Sequence, residues 1–482
     1  MEIMTAIAWL GVMVLVGMVL RAKVPFFRKN LIPASVIAGL LGFVLMNLNV
    51  IPVAYDSYNV IVGQLFTFVF ISMAMTNHDK SGEKVDKKSG SGKWTLRGIL
   101  GMGSWWAVLY GTTPILAYFL LKVVGKPFGM DPVYGLQIPF AFCQGPGQSV
   151  AYGAQMEADG VVNAVTVGMT FASIGFLFAF GIGIPMAKYG IKKGLCYATG
   201  GKISDSVAAG VFPREEQKPY GKVTTYSGNV DTLTFHVALI GLGWIVGIYA
   251  GKLWLLIPGY VGNLMSGMLY FNGMCVSYGI KALLKKYTHV MEYVDSGTQN
   301  RISGMATDLM VVGAFMGIEF AVIKDWIIPI LIVCIVVAVF TWFASQWYCQ
   351  RIGGPCDFER TLGMWGANTG TVPSGLALIR IVDPDLKASA SMEMGPMNPV
   401  NSLGSNIILP AILTFAAGAC SFDYVLIACL GVSAAYMVFI IAVGAFGKKT
   451  YDLRKAELYP VRGNLLRPDL QKAADTQAAA KE

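Results

Sequence analysis

The sequence predicts an all-α polytopic membrane protein made of two inverted repeats, each with five transmembrane helices and a re-entrant hairpin, and one extra helix at the C-terminal end. Three observations predict it. The 482 residues are 55% hydrophobic and only 13% charged, with a mean hydropathy of +0.57, far more apolar than a soluble chain of this size. Lys and Arg collect in short segments between apolar runs, as expected of loops held on the cytoplasmic side. Two Gly- and Pro-rich interruptions fall at matching places in the two halves.

A helix needs about 20 predominantly apolar residues to cross a bilayer. Such runs place spans at 3–20, 31–47, 60–77, 98–121 and 162–187, then at 231–250, 254–281, 304–323, 326–347 and 391–418, with a final span at 422–446. The first run opens at Ile3 without a basic leader or small-residue cleavage site, so a retained helix is expected rather than a signal peptide. Arg21, Lys23, Arg28 and Lys29 follow it, which puts that loop inside and the N-terminus outside. The lysine-rich stretch 78–97 and the stretch 48–58, which lacks Lys and Arg, agree with this orientation.

Residues 122–132 then lie outside, whereas the span 162–187 ends inside at Lys188, Lys192 and Lys193. The segment 133–157 must therefore start and finish on the outer side, as a re-entrant hairpin. In the second half, residues 348–360 with Arg351 and Arg360 lie inside. The tail with Lys448, Lys449, Arg454 and Lys455 lies inside as well, so the segment 358–385 is a hairpin entered from the cytoplasmic side. The chain thus divides into a first repeat (1–189), a cytoplasmic linker (190–230) with Pro213 and Pro219, a second repeat (231–420), the final span (421–446) and a polar cytoplasmic tail (447–482). Two short echoes link the halves. Leu31-Ile32-Pro33-Ala34 returns as Leu256-Ile257-Pro258-Gly259 at an offset of 225, and Gly145-Pro146-Gly147 precedes Asn368-Thr369-Gly370 by 223.

Gln144-Gly145-Pro146-Gly147-Gln148-Ser149 interrupts an apolar segment with residues that a continuous helix tolerates poorly. The stretch from Gly366 to Gly375, with Asn368, Thr369, Thr371, Pro373 and Ser374, does the same in the second half. Irregular backbone at membrane depth survives only where protein or a water-filled cavity covers it, which leaves its amides and carbonyls available to ligands. Positive half-helix ends suit a carboxylate, and carbonyls with Asn, Ser and Thr oxygens can replace the water around sodium. The competing reading is that both breaks are packing kinks or small-residue helix contacts.

On these residues the chain resembles the bacterial sodium/glutamate symporter family. The run from Gly145 to Gly153 stands where that family carries a glycine-rich tip, followed here by Glu157, Gly160 and Asn163. Further matches are Thr170-Phe171-Ala172-Ser173-Ile174-Gly175 with Gly181, Gly183 and Pro185, then Thr307-Asp308-Leu309 opening a helix that ends near Asp325-Trp326, and Leu362-Gly363 before the second break. The resemblance spans about residues 30–446. It implies an elevator-type transporter of the bacterial inner membrane, a homodimer with scaffold and mobile transport domains, moving glutamate with sodium as coupling ion and no other cofactor. Two departures leave the solute open to related small carboxylates: Pro146 stands where the family has a histidine, and Asn368-Thr369-Gly370-Thr371-Val372-Pro373 replaces a more glycine-rich run.

The candidate anion-binding residues are Gln144, Gly145, Pro146, Gly147, Gln148, Ser149, Thr371, Ser374 and Arg380. The candidate cation ligands are Asn163, Thr170, Asp308, Asn368, Thr369, Asn398 and Asn401. Asn163, Thr166, Thr170 and Ser173 fall on one helix face, and Asn398, Asn401, Ser402 and Ser405 form a comparable stripe. Such stripes serve equally as sodium ligands or as hydrogen-bonded helix contacts. Asp308 and Glu319 are ionisable groups within a predicted span and are candidates for a cation-linked role, sodium or proton. A carboxylate at a helix start is the alternative for Asp308, and an interfacial one for Glu319. Arg380 either meets the anionic solute, pairs with Asp383 or snorkels to the interface. Glu157, Asp159 and Glu393 are read as charges near segment ends.

Other classes fare less well. The net charge of +9 sits in membrane-flanking loops rather than a nucleic-acid patch. Eight cysteines, mostly in apolar runs without paired spacing, support neither disulfides nor zinc and are read as small core residues. Three histidines, no His-Glu-X-X-His motif, no base near Ser149 and no span-centre aspartate pair argue against an intramembrane enzyme. His236 is read as a packing residue, and Trp105, Trp106, Trp254 and Trp326 as interface anchors. A proton-coupled carboxylate transporter, or a channel or sensor whose breaks line a pore, remain the alternatives.

Overall fold

Backbone surrounded by lipid must satisfy its hydrogen bonds within itself, and every apolar run found in the sequence is helical. The computed structural model describes residues 2–76, 91–197, 205–217, 221–384 and 388–459. Expectations for 77–90, 198–204, 218–220, 385–387 and 460–482, which include most of the lysine-rich loop, parts of the linker, the foot of the second predicted hairpin and most of the tail, lie outside the described residues.

The first half runs through α1 (Glu2–Lys23), α2 (Pro25–Lys29), α3 (Ala34–Asn47), α4 (Tyr55–Met75), α5 (Ser91–Val124), α6 (Ile138–Phe142), α7 (Pro146–Ala158) and α8 (Ala164–Lys193). A short α9 (Asp205–Ala209) precedes α10 (Thr232–Gly251), α11 (Tyr260–Gly267), α12 (Leu269–Tyr287) and α13 (Ser296–Met316). The chain continues through α14 (Phe320–Ile323), α15 (Ile327–Cys349), α16 (Asp357–Thr369), α17 (Val372–Val382), α18 (Ser389–Glu393), α19 (Met397–Ala416) and α20 (Phe422–Ala442). A two-stranded hairpin follows, with β1 (Tyr451–Asp452) antiparallel to β2 (Glu457–Leu458).

Among the described residues, eight helical segments are long and apolar enough to cross a membrane: those containing α1, α4, α5, α8, α10, α15, α19 and α20. Among the other predicted spans, α3 has only 14 residues, and α12 and α13 are long but too polar to qualify by hydropathy. The stretch 254–281 is not one helix. It breaks at Ile257-Pro258-Gly259, where Gly259 takes φ +96°, and again at Met268. The span expected at 304–323 instead starts at Ser296, capped by the Asp295 carboxylate accepting from Thr298 N at 2.7 Å, and stops at Met316. The span expected at 391–418 is interrupted at Gly395-Pro396, leaving α18 separate from α19.

Two bundles form, each drawing on both halves of the chain. In one, α4 packs on α13 and α12, α3 on α13 and α1, and α10 on α12. In the other, α5 packs on α20, α19 and α15, while α8 packs on α7, α16 and α17. The bundles meet chiefly where α4 and α13 face α7 and α8. After α20 the chain returns to the base of α16. Thr450 N donates to Gln350 O and its hydroxyl to Asp357 Oδ2, both at 2.8 Å, and the buried Tyr451 hydroxyl lies 2.6 Å from Thr361 Oγ1.

Two readings change. Trp105 and Trp106 are buried inside the protein rather than at an interface, because α5 begins near residue 91 and carries them to mid-helix; Trp105 stacks on Tyr348 with ring centroids 4.5 Å apart. Arg360 belongs to no cytoplasmic loop: it is fully buried in α16, held by Glu393 at 2.7 Å from both Nε and Nη2 and by Asp357 at 2.8 Å. None of the eight cysteines, all within the described residues, forms a disulfide, and six are buried. His236 is fully buried: Asp295 N donates to its Nε2 at 2.9 Å, so Nδ1 carries the proton donated to Thr232 O at 2.7 Å. Nε2 thus ties α10 to the cap of α13, while the Nδ1 bond stays within the first turn of α10.

Candidate functional site

Each Gly/Pro-rich stretch is a short helix, a break and a second helix. Gly145 separates α6 from α7 and takes φ +81°, a conformation that costs a side chain strain, and Pro146 then starts α7 at the position where its missing N–H is no loss. Gly370 and the extended Thr371 separate α16 from α17. The two breaks touch. A Cβ on Gly145 would come within 2.5 Å of Thr371 Cγ2 and 3.3 Å of Gly370 O. Cys143 Sγ lies 3.6 Å from Asn368 Oδ1 and 3.8 Å from Asn368 O. Behind both, α8 passes close enough that a Cβ on Gly175 would meet Thr369 O at 2.5 Å.

This contact brings together the N-terminal ends of α7 and α17 and the C-terminal ends of α6 and α16. The former present partial positive charge and N–H donors, the latter partial negative charge and carbonyl acceptors. A cavity of about 30 Å³ lies beside the breaks. One bundle contributes Cys143, Gln144, Thr371, Val372, Pro373 and, from α19, Asn398. The other closes it with Thr307 and Met310 of α13 and an apolar face of α4. The volume suits a water or a bare ion and is far below the ~300 Å³ at which small-molecule pockets begin.

Side-chain oxygens are partly committed. Asn368 Nδ2 donates to Met364 O at 2.8 Å and Thr369 Oγ1 to Trp365 O at 2.7 Å, which turns Asn368 Oδ1 toward Cys143. Thr371 Oγ1 and Ser374 Oγ lie 3.2 Å apart, and Ser149 Oγ donates to Gly145 O at 3.3 Å. Gln148 Oε1 accepts from the buried Tyr110 hydroxyl at 3.3 Å. On α19, Asn398 Oδ1 and both amide atoms of the fully buried Asn401 have no hydrogen-bond partner, and neither does Ser173 Oγ on α8. Buried polar atoms without partners are costly, and of these Asn398 lines the cavity while Asn401 follows it by three residues on the same helix face.

The structure gathers Gln144, Gly145, Pro146, Gly147, Asn368, Thr369, Thr371, Ser374 and Asn398 around the breaks, and Gln148 and Ser149 in the first turn of α7. Other candidates lie elsewhere. Asn163 takes a left-handed φ of +59° just before α8, and Thr170 is buried with its hydroxyl bonded to Thr166 O at 2.7 Å. Arg380 is exposed, and Asp383 is buried and accepts from Ala388 N at 2.7 Å. Asp308 is exposed with Ser35 bonded to it, while Thr307 and Met310, three residues apart on another face of the same helix, line the cavity. Glu319 is half-buried before α14. Glu157 accepts from Val165 N at 2.9 Å in the first turn of α8, and Asp159 accepts from Tyr260 at 2.6 Å, tying α7 to α11.

Sequence reasoning passed over Cys143, Thr307 and the aromatic wall. Phe66 of α4 sits so near α7 that a Cβ on Gly147 would collide with its ring, and the buried Tyr152 and Tyr270 hydroxyls bond across the two bundles. Cys143 adjoins the first break and Thr307 adjoins Asp308, so proximity to a motif was the available signal; for Phe66 and Tyr270 there was none.

A family model described as sodium/glutamate symporter matches residues 121–375, more than half of the chain and including both breaks. No curated protein matches the sequence. Among solved structures, the sodium proton antiporter MjNhaP1 from Methanocaldococcus jannaschii at pH 8 is similar over 92% of this chain and 100% of its own, at 16% identity and a TM-score of 0.35, too distant a likeness to carry an argument.

Proposed function

The chain belongs to the sodium/glutamate symporter family, a family of membrane secondary transporters, and from that premise we propose that it couples inward sodium movement to uptake of glutamate or a related small carboxylate by an elevator mechanism. The observation that carries the reading is the meeting of two broken helices beside a cavity walled by both bundles. The bundle of α5–α8, α15–α17, α19 and α20 is the moving part, because it holds both breaks and the unpartnered Asn398 and Asn401. The bundle of α4, α12 and α13 is the scaffold that seals the site with an apolar wall.

In this reading the helix N-terminal ends at Gly147–Gln148 and Ser374 receive the carboxylate, and Asn368, Asn398, Asn401 and nearby carbonyls receive sodium. The small cavity is a closed arrangement: an ion fits, and the solute enters only when α4 and α13 separate from the tips. The two halves act as inverted repeats with α6–α7 and α16–α17 as paired hairpins, in a homodimer in the inner membrane.

Purified protein in proteoliposomes with an imposed sodium gradient is the test. Concentrative uptake of an acidic amino acid or small dicarboxylate that collapses without the gradient is expected. No gradient-driven uptake across such a panel would overturn the proposal. Uptake driven by a pH gradient without sodium would replace it with proton coupling, and single-channel current with a pore.

A further inference from the structure

An apolar crevice of about 590 Å³ runs between the two bundles, along α3 and α8 and up to α2. One wall is Val36, Leu40 and Val44 of α3 with Phe26 of α2; the other is Leu177 and Phe180 of α8. Phe26, Leu40, Val44 and Leu177 are exposed, so protein does not fill the space. Just beyond, on the other side of α2, a recess of about 320 Å³ is lined by Pro25, Arg28, Lys29, Leu31, Asp205 and Ala208. Arg28 is already engaged by Asp205 at 3.1 Å. Lys188 reaches from α8 to the carbonyl of Lys29, near enough for the two ammonium charges to repel each other, and Arg21 has Nη2 on Val207 O. Four cations against one carboxylate therefore crown a cleft open to lipid.

We propose that the crevice and recess together bind one anionic phospholipid, with acyl chain in the cleft and phosphate between Lys29 and Lys188. An apolar slot of this volume is in the ~300–1,000 Å³ range of ligand sites, and basic pockets between transmembrane helices are where anionic headgroups collect. A second copy of the chain or a soluble anion would use only one half of this arrangement. The binding claim stands apart from the transport reading; only the corollary, that an occupant of the gap between the bundles alters transport rate, rests on it.

Native mass spectrometry of the full chain in detergent, titrated with phosphatidylglycerol and with phosphatidylcholine of the same acyl chains, tests binding directly. Phosphatidylglycerol adducts should survive at concentrations about tenfold lower, and the double variant Lys29→Gln/Lys188→Gln should erase that preference. Gly181→Phe should abolish adducts of both lipids without harming the fold, because Gly181 lines the cleft and a Cβ there meets nothing within 4 Å. A thermal melt checks that the variants are folded. Equal retention of the two lipids, an unchanged preference in the double variant, or full adducts in Gly181→Phe would each overturn the site. Competition by inorganic phosphate equal to that by the lipid would reassign it to a soluble anion. A shift of oligomeric state in Gly181→Phe would reassign the cleft to a second copy. Absence of gradient-driven uptake by the parent chain with its adducts intact would count against the transport reading alone.

Discussion

Gly145 shows what a single backbone position decides. Its φ of +81° and its closeness to Thr371 leave no room for a side chain. Gly145→Ala must strain the backbone by roughly 1–3 kcal/mol and push the tips apart, so uptake should fall by about tenfold or more while the helical content survives. Uptake assays beside circular dichroism check this. Asn401 separates a ligand from a packing residue. Both its amide atoms are buried without a partner, so Asn401→Leu should leave the thermal stability without sodium unchanged or higher and abolish the stabilisation that sodium adds. Equal losses with and without sodium would sink the assignment. Asp295 lies outside the spans. Burial opposes ionisation, yet hydrogen bonds from Thr298 N and Oγ1 and Lys222 N hold its carboxyl below the usual range. A lowered folded-state pKa gives stability that is complete above about pH 4 and lost as the pH falls through the lowered value. Melts between pH 6 and pH 3 should show that fading more strongly in the parent chain than in Asp295→Asn. At this scale the sequence named the break residues well, since Gly and Pro announce irregular backbone. It could not tell Thr307 from Asp308 as the residue facing the cavity, because one step along a helix turns a side chain by about a quarter of the circle.

At the scale of elements, long apolar runs fixed the helices, and polar helical segments escaped. The first turns of α13, Ser296–Arg301 in sequence, are helical because Asp295 caps them, which a hydropathy window does not register. Arg360 was misplaced for the converse reason: charge reads as loop unless its partners are known, and Glu393 lies 33 residues away. That ion pair should dominate the stability of α16. Arg360→Met leaves Glu393 and Asp357 buried beside an apolar side chain and should cost roughly 3–5 kcal/mol, with part of the loss restored by adding Glu393→Leu. Chemical unfolding of the single and double variants measures both quantities.

For the whole molecule, the all-helical membrane architecture was legible from composition alone, but the division into two bundles was not, because each takes helices from both halves of the chain. Contacts such as Tyr152 to Tyr270, 118 residues apart, leave no local pattern. In the symport reading sodium favours solute binding, and linkage requires that the solute then raise the affinity for sodium by the same factor. The thermal shift with sodium and solute together should therefore exceed the sum of the shifts with each alone; strictly additive shifts would contradict the coupling. The joint between Thr361 and Tyr451 spans 90 residues and is closed by the segment after the last span. During synthesis, the foot of α16 must wait unlatched until nearly all of the described chain has left the ribosome, so this joint is among the last to form in biogenesis. Truncation before residue 447 should then yield chains that insert normally but are cleared by quality-control proteases.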